Sequence, residues 1–311
     1  MSEKNYALMD EVTSKATLAG SNKMEILLFS LGTGEIFGIN VFKVREVSQT
    51  PSITKSPNMP SGIEGVISLR GNIIPVLSLA KFINVDGAGE NTEETMIVTE
   101  FSRHTQGFLV HDVDRIIRVD WDKVKPPQSM LAGHEGMITA ITELPDGRLV
   151  SLLDVEQVLA NAIGIEPVPD MPPIDAETEH TIFFADDSAV ARKEIILVLD
   201  KLGVKYQQAN DGREAWERLQ GFAARSSQDG TPLSDSINLI LTDAEMPEMD
   251  GYVLTKNIKS DSRFAGIPVV MHSSLSSEAN KVMGQKVGVD AYVGKFDPIV
   301  LAETIRPLLL R

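Results

Sequence analysis

The chain is 311 residues long, 42% hydrophobic and 23% charged, which suffices for two soluble domains with cores of their own. A formal net charge of −15 excludes nucleic acid as the main partner, because phosphate contacts need a basic footprint. The absence of cysteine excludes disulfides and thiolate metal sites and fits a reducing cytosol.

Residues 1–22 form a leader with a weak helical pattern at Tyr6, Leu8, Met9 and Val12 and no secretory-type order of basic then apolar residues. No apolar run in the chain is long enough to span a bilayer, so membrane insertion is not expected. From Met24 onward, short apolar runs alternate with turn signals: Ile26 to Phe29, Ile36 to Ile39, Gly65 to Leu69 and Ile73 to Leu77. The stretches Leu31-Gly32-Thr33-Gly34 and Arg70-Gly71-Asn72 between them suit hairpins. Further runs follow at Met96 to Val98, Gly107 to Val110, Ile116 to Val119, Met137 to Ile141 and Leu149 to Leu153, with Pro145-Asp146-Gly147 as a turn. Many short strands predict a barrel or sandwich, closed by an amphipathic helix from Asp154 to Ile163 with Val155, Val158 and Leu159 on one face. No catalytic constellation occurs across residues 23–164, and the five histidines of the chain are scattered, so a binding module is expected there.

Residues 165–178 are acidic and carry Pro167, Pro169, Pro172 and Pro173, which predicts a semi-rigid spacer in extended conformation. The pattern then changes. Thr181 to Ala185 is an apolar strand ending on Asp186-Asp187, and Leu239 to Thr242 ends on Asp243. Ile267 to His272 ends on Ser273-Ser274, and Asp290 to Gly294 ends on Lys295. Carboxyl ends of strands in an open parallel sheet share one edge, where ligands bind. The offsets from Asp243, about thirty residues to Ser273 and about fifty to Lys295, match one and two βα units. Singly, such an aspartate is most simply a cap and such a lysine a solvated charge; jointly they gather three carboxylates, a hydroxyl and an ammonium at one point.

Those groups suit phosphoryl transfer to a carboxylate. Asp186, Asp187 and Asp243 supply hard oxygen ligands for Mg²⁺, which offsets their mutual repulsion. Lys295 can pair with phosphate oxygens and Ser273 can donate to the phosphoryl group after transfer. A loose transition state needs positioning and charge neutralisation rather than a strong base.

Residues 179–311 resemble the receiver domains of two-component response regulators, which are flavodoxin-like α/β folds with a doubly wound, five-stranded parallel sheet. The resemblance implies Asp243 as phosphoacceptor and Asp186, Asp187, Asp243 and the Glu245 backbone carbonyl as the Mg²⁺ ligands. It also implies a switch in which Lys295 reads the phosphate and the Tyr292 rotamer follows Ser273, with Glu245 and Ser274 on the access route affecting phosphoryl lifetime. Two departures stand out: Lys295-Phe296 replaces the family's Lys-Pro pair, and the stretch from Gly221 to Ser236 lengthens the connection before the third strand.

Residues 23–164 are similar to the CheW-type coupling domain of bacterial chemotaxis, most specifically in Val41 to Val47 and Gly65 to Gly71. This resemblance implies an all-β double SH3-like barrel that binds chemoreceptor tips and the regulatory domain of a CheA-type histidine kinase. It places Val44, Glu46, Gly65 and Arg70 at the receptor and kinase contacts, with Glu46 and Arg70 pairing across adjacent strands. For Val44 both core packing and interface remain open; Arg70, in a tight turn, has no core role.

Joined in one chain, the two halves resemble the CheV type of chemotaxis coupling protein. The expected function is a non-enzymatic, cytoplasmic scaffold at polar arrays of methyl-accepting chemoreceptors, tuned by phosphorylation of Asp243. A transcriptional regulator would need a basic recognition element, and none is found. A phosphohydrolase working through an aspartyl phosphate would need a general acid two residues after its nucleophile, a position that Glu245 fills.

Overall fold

The computed structural model describes residues 23–85, 95–101, 104–127, 137–164, 167–174, 179–274, 278–295 and 297–310. The expected leader lies outside these residues. They fall into two compact units, the first ending at residue 165 and the second beginning at 166.

The first unit opens with β1 (Lys23–Ser30), β2 (Ile36–Asn40), β3 (Val44–Gln49), β4 (Ile63–Leu69) and β5 (Asn72–Ser78), followed by the short helix α1 (Leu79–Phe82). It continues with β6 (Thr95–Phe101), β7 (His104–Val110), β8 (Asp112–Asp120), β9 (Ile138–Glu143), β10 (Leu149–Leu153) and α2 (Val155–Ile163). The strands form two five-stranded sheets, ordered β8-β1-β2-β10-β9 and β3-β6-β7-β5-β4. A 3-10 turn at Val41–Lys43, capped by the Asn40 side chain on the Phe42 amide, carries the chain from one sheet to the other. Alternating apolar positions give each sheet its own core: Ile26, Leu28, Val150 and Leu152 with Trp121 in one, Ile67, Val76, Met96 and Val98 in the other. The hairpin from β4 to β5 turns on Arg70 and Gly71 at φ 50° and 87°. Positive φ at both central residues is the turn whose twist matches paired strands.

The second unit contains β11 (Thr181–Ala185), α3 (Ala189–Leu202), β12 (Lys205–Ala209), α4 (Gly212–Asp229), β13 (Leu239–Thr242) and α5 (Gly251–Ser260). It ends with β14 (Val269–Ser273), α6 (Glu278–Val287), β15 (Ala291–Gly294) and α7 (Pro298–Leu309). All five strands are parallel in the order β12-β11-β13-β14-β15, the expected doubly wound sheet, with the reversal of order at β11 and β13. One apolar layer packs α3 and α7 on the sheet and another packs α4 and α5 on its opposite face.

The long connection from Gly221 to Ser236 is built largely of helix: α4 runs on to Asp229, ends on Gly230 at φ 68°, and Leu233 then plugs the core. Ala223 continues the buried stripe of that helix, which a polar composition hides. Residues 167–174, expected as part of a semi-rigid spacer, instead lie on the second unit. Val168 is buried in its core beside Leu202 and Leu308, Arg306 donates to the carbonyls of Pro172 and Pro173, and the Ile174 amide donates to Leu202. Among the described residues no helix is long and apolar enough to cross a membrane.

Candidate functional site

The strand ends of the second unit converge as the spacing predicts. The Asp243 amide donates to the Ala185 carbonyl, the Asp186 amide to Ala209, and the Lys295 amide to Ser273, so ladder bonds tie neighbouring strand ends together. Lys295 Nζ lies 2.9 Å from Asp186 Oδ2 and 2.9 Å from Asp243 Oδ2. Asp186 is held by Ser188, whose amide donates to its Oδ1 at 2.9 Å, and by Arg192, which donates to its carbonyl. The Ala244 amide donates to Asp243 Oδ1 at 2.6 Å.

One carboxylate oxygen from each of Asp186, Asp187 and Asp243 lies within 4.8 Å of the others. Three hard anionic donors at that spacing fit a small divalent cation that also keeps waters and phosphate oxygens. Asp187 is half-buried while its two neighbours are buried, so the cluster opens to solvent on one side.

Ser273 is fully buried at the end of β14. The Tyr292 hydroxyl lies within hydrogen-bonding reach of Ser273 and of Tyr252. The Tyr252 contact is the weaker, since that buried hydroxyl has no well-formed hydrogen bond. Burial pushes the Tyr292 phenol up to about 12 and raises Tyr252 as well, so both stay neutral donors at physiological pH. The ring of Tyr292 lies over α6, where a Cβ on Gly284 would come within 3.1 Å of it. Tyr292 therefore links Ser273 to the α5 and α6 surface. Phe296 lies outside the described residues.

Several site-forming residues escaped the sequence reading. A Cβ on Gly251 would sit 1.9 Å from the Asp243 carbonyl oxygen, so glycine alone lets the start of α5 approach the acceptor strand. Asp250 caps that helix through the Val253 amide, and its burial pushes the carboxyl up to about 6. The Asp250-Gly251 dipeptide was the available signal; for Tyr252 and Gly284 nothing local marks the contact.

In the first unit, Glu46 and Arg70 do form an ion pair. They do not lie on adjacent strands: β3 and β4 are opposite ends of their sheet, so the pair joins edges that curvature has brought together. The Glu46 carboxylate is 9% exposed and the Arg70 guanidinium 67%, so the arginine presents the pair to solvent. Val44 is 1% exposed and belongs to the core, which favours packing over direct contact. Gly65 is buried at a bulge, where a Cβ would meet the Thr54 carbonyl oxygen at 2.5 Å. Both shape the surface from beneath.

Residues 25–162 match the CheW-like domain family and residues 182–306 the response regulator receiver domain family. Chemotaxis protein CheV3 of Helicobacter pylori is 34% identical over 279 residues, covering 88% of this chain and 88% of that protein. Chemotaxis protein CheV1 of the same organism is 30% identical, covering 98% of each. Chemotaxis protein CheW of Klebsiella aerogenes is 28% identical over 49% of this chain and 92% of its own length.

Proposed function

Since the chain belongs to the CheV family of chemotaxis proteins, a CheW-like domain joined to a receiver, we propose that it couples chemoreceptors to a CheA-type histidine kinase and that phosphorylation of Asp243 tunes this coupling. The observation that carries the reading is Lys295 Nζ at 2.9 Å from both Asp186 and Asp243, which holds the acceptor beside a cation-binding pair. Asp186, Asp187, Asp243 and the Glu245 carbonyl would hold Mg²⁺. When bound, that ion neutralises phosphoryl oxygens as charge shifts.

In the transfer, an Asp243 carboxylate oxygen forms the bond to phosphorus as the P–N bond of a phosphohistidine donor breaks, and the electron pair leaves on the imidazole nitrogen. Lys295 keeps its ammonium beside the acceptor and pairs with a phosphoryl oxygen. Ser273 donates a hydrogen bond to another, at the expense of its contact with Tyr292. The phosphoryl group adds about −1.5 to −2 of charge, and its effect leaves the pocket through the Tyr292 surface. In the coupling domain, Arg70 at its exposed hairpin tip contacts the receptor or kinase, with Glu46 orienting the guanidinium and Val44 and Gly65 fixing the strands below. The protein works in the cytoplasm at polar receptor arrays.

The test mixes the full chain with a ³²P-phosphorylated CheA-type kinase, with and without Mg²⁺. Label should pass to the chain only with Mg²⁺ and fail with Asp243→Asn. Undiminished labelling of another residue in that variant overturns the assignment. Sustained turnover of a phosphomonoester would instead favour a phosphohydrolase using Glu245.

A further inference from the structure

The loop that carries the Glu245 carbonyl is braced from outside by the corner where β12 enters α4. Gly212, the first residue of α4, is so close to this loop that a Cβ on it would lie 2.0 Å from the Met249 carbonyl oxygen. Arg213 donates from Nε to Glu248 Oε2 at 3.0 Å, and the Glu248 side chain is only 12% exposed. Glu248 holds φ at 65°, a left-handed conformation that a glutamate keeps only when its surroundings impose it. The turn is tightened by the Met249 amide donating to Pro247 and by Asn257 reaching Met249 Sδ. The helix cap on Asp211 fixes the other side of the corner, so the brace has a rigid base.

We propose that Gly212 and Arg213 are positioning residues for the cation site: they latch the turn at residues 247–249 and so fix the loop that follows Asp243 and carries Glu245, whose carbonyl is the further ligand proposed beside Asp186, Asp187 and Asp243. This inference rests on the cation reading above. Neither residue belongs to the carboxylate cluster itself. Gly212 permits the close approach of the Met249 backbone, and Arg213 neutralises and holds the side chain of Glu248, whose backbone is left-handed.

The experiment is calorimetric titration of the full chain with MgCl₂, together with urea unfolding and amide exchange in the absence of Mg²⁺. Arg213→Ala should weaken Mg²⁺ binding about two- to fivefold, as expected for a half-exposed ion pair, and speed amide exchange at residues 246–249. Its unfolding midpoint should stay near that of the native chain. Gly212→Ala should weaken binding about tenfold or more, because backbone rather than a side chain must move. Exchanging the charges with Arg213→Glu and Glu248→Arg should recover most of the affinity. If Asp187→Asn loses Mg²⁺ while Arg213→Ala binds it with native affinity and exchange, the latch is wrong and the cation site stands. If the native chain takes up no Mg²⁺, the cation reading itself fails and the latch with it.

Discussion

Replacing Lys295 with methionine tests whether charge holds the four strand ends together. Lys295 is 5% exposed, and its ammonium contacts a carboxylate oxygen of both Asp186 and Asp243 at 2.9 Å. At an effective dielectric of about 20, each contact supplies about 6 kcal/mol of Coulomb energy before desolvation is subtracted. Removing the cation alone leaves two buried carboxylates facing each other, and breaking a buried pair from one side costs about 3–5 kcal/mol. Methionine nearly matches the lysine stem, so little of that loss is cavity. Urea unfolding of the full chain should show the transition of the second unit weakened by about 3–5 kcal/mol and that of the first unchanged. Mg²⁺ at about one hundred times its Kd should restore about 2.7 kcal/mol, since a ligand of the folded state stabilises it by mass action. A variant as stable as the native chain, or a loss that Mg²⁺ does not relieve, would refute the electrostatic account.

A pH test follows from Asp250, whose carboxyl burial pushes up to about 6 from its ordinary 3.8. A folded-state pKa above the unfolded one favours folding fully below the unfolded value and loses that contribution as pH rises through about 6. Asp250→Asn keeps the acceptor for the Val253 amide, so it should gain up to about 3 kcal/mol at pH 7.5 relative to its effect at pH 4; denaturation curves with equal effects at both pH values would sink this. Arg70→Ala should leave folding within about 1 kcal/mol, because the guanidinium is mostly exposed, yet weaken receptor or kinase binding about thirtyfold in pull-down titrations. Val168→Ala should destabilise the second unit by about 1–2 kcal/mol in urea, an effect absent if residues 167–174 were a free spacer.

The chemistry of the site was legible because its residue types advertise themselves. Acids, a serine and a lysine at the ends of apolar runs have few reasons to recur one βα unit apart, and the structure gathers Asp186, Asp187, Asp243 and Lys295. The polar edge strand β12 was not read from apolar runs: only Ala209 is buried in it, and Lys205, Gln207 and Gln208 face water. The order of the β3 to β7 sheet was equally hidden, since hairpin signals name neighbours in sequence and not which edges a curved sheet brings together. Glycines formed a third blind spot. Gly212, Gly251 and Gly284 matter through what lies opposite the missing Cβ, which no local pattern records.

The proline-rich segment shows how composition and context part ways. Pro167, Pro169, Pro172 and Pro173 do favour extended backbone, but an extended strand with free carbonyls is also a good ligand for a neighbouring helix. Arg306 takes the Pro172 and Pro173 carbonyls, Lys201 pairs with Asp170, and Val168 fills the core. Glycine at these positions would therefore loosen the second unit itself, not merely soften a tether, and the two effects would be confounded.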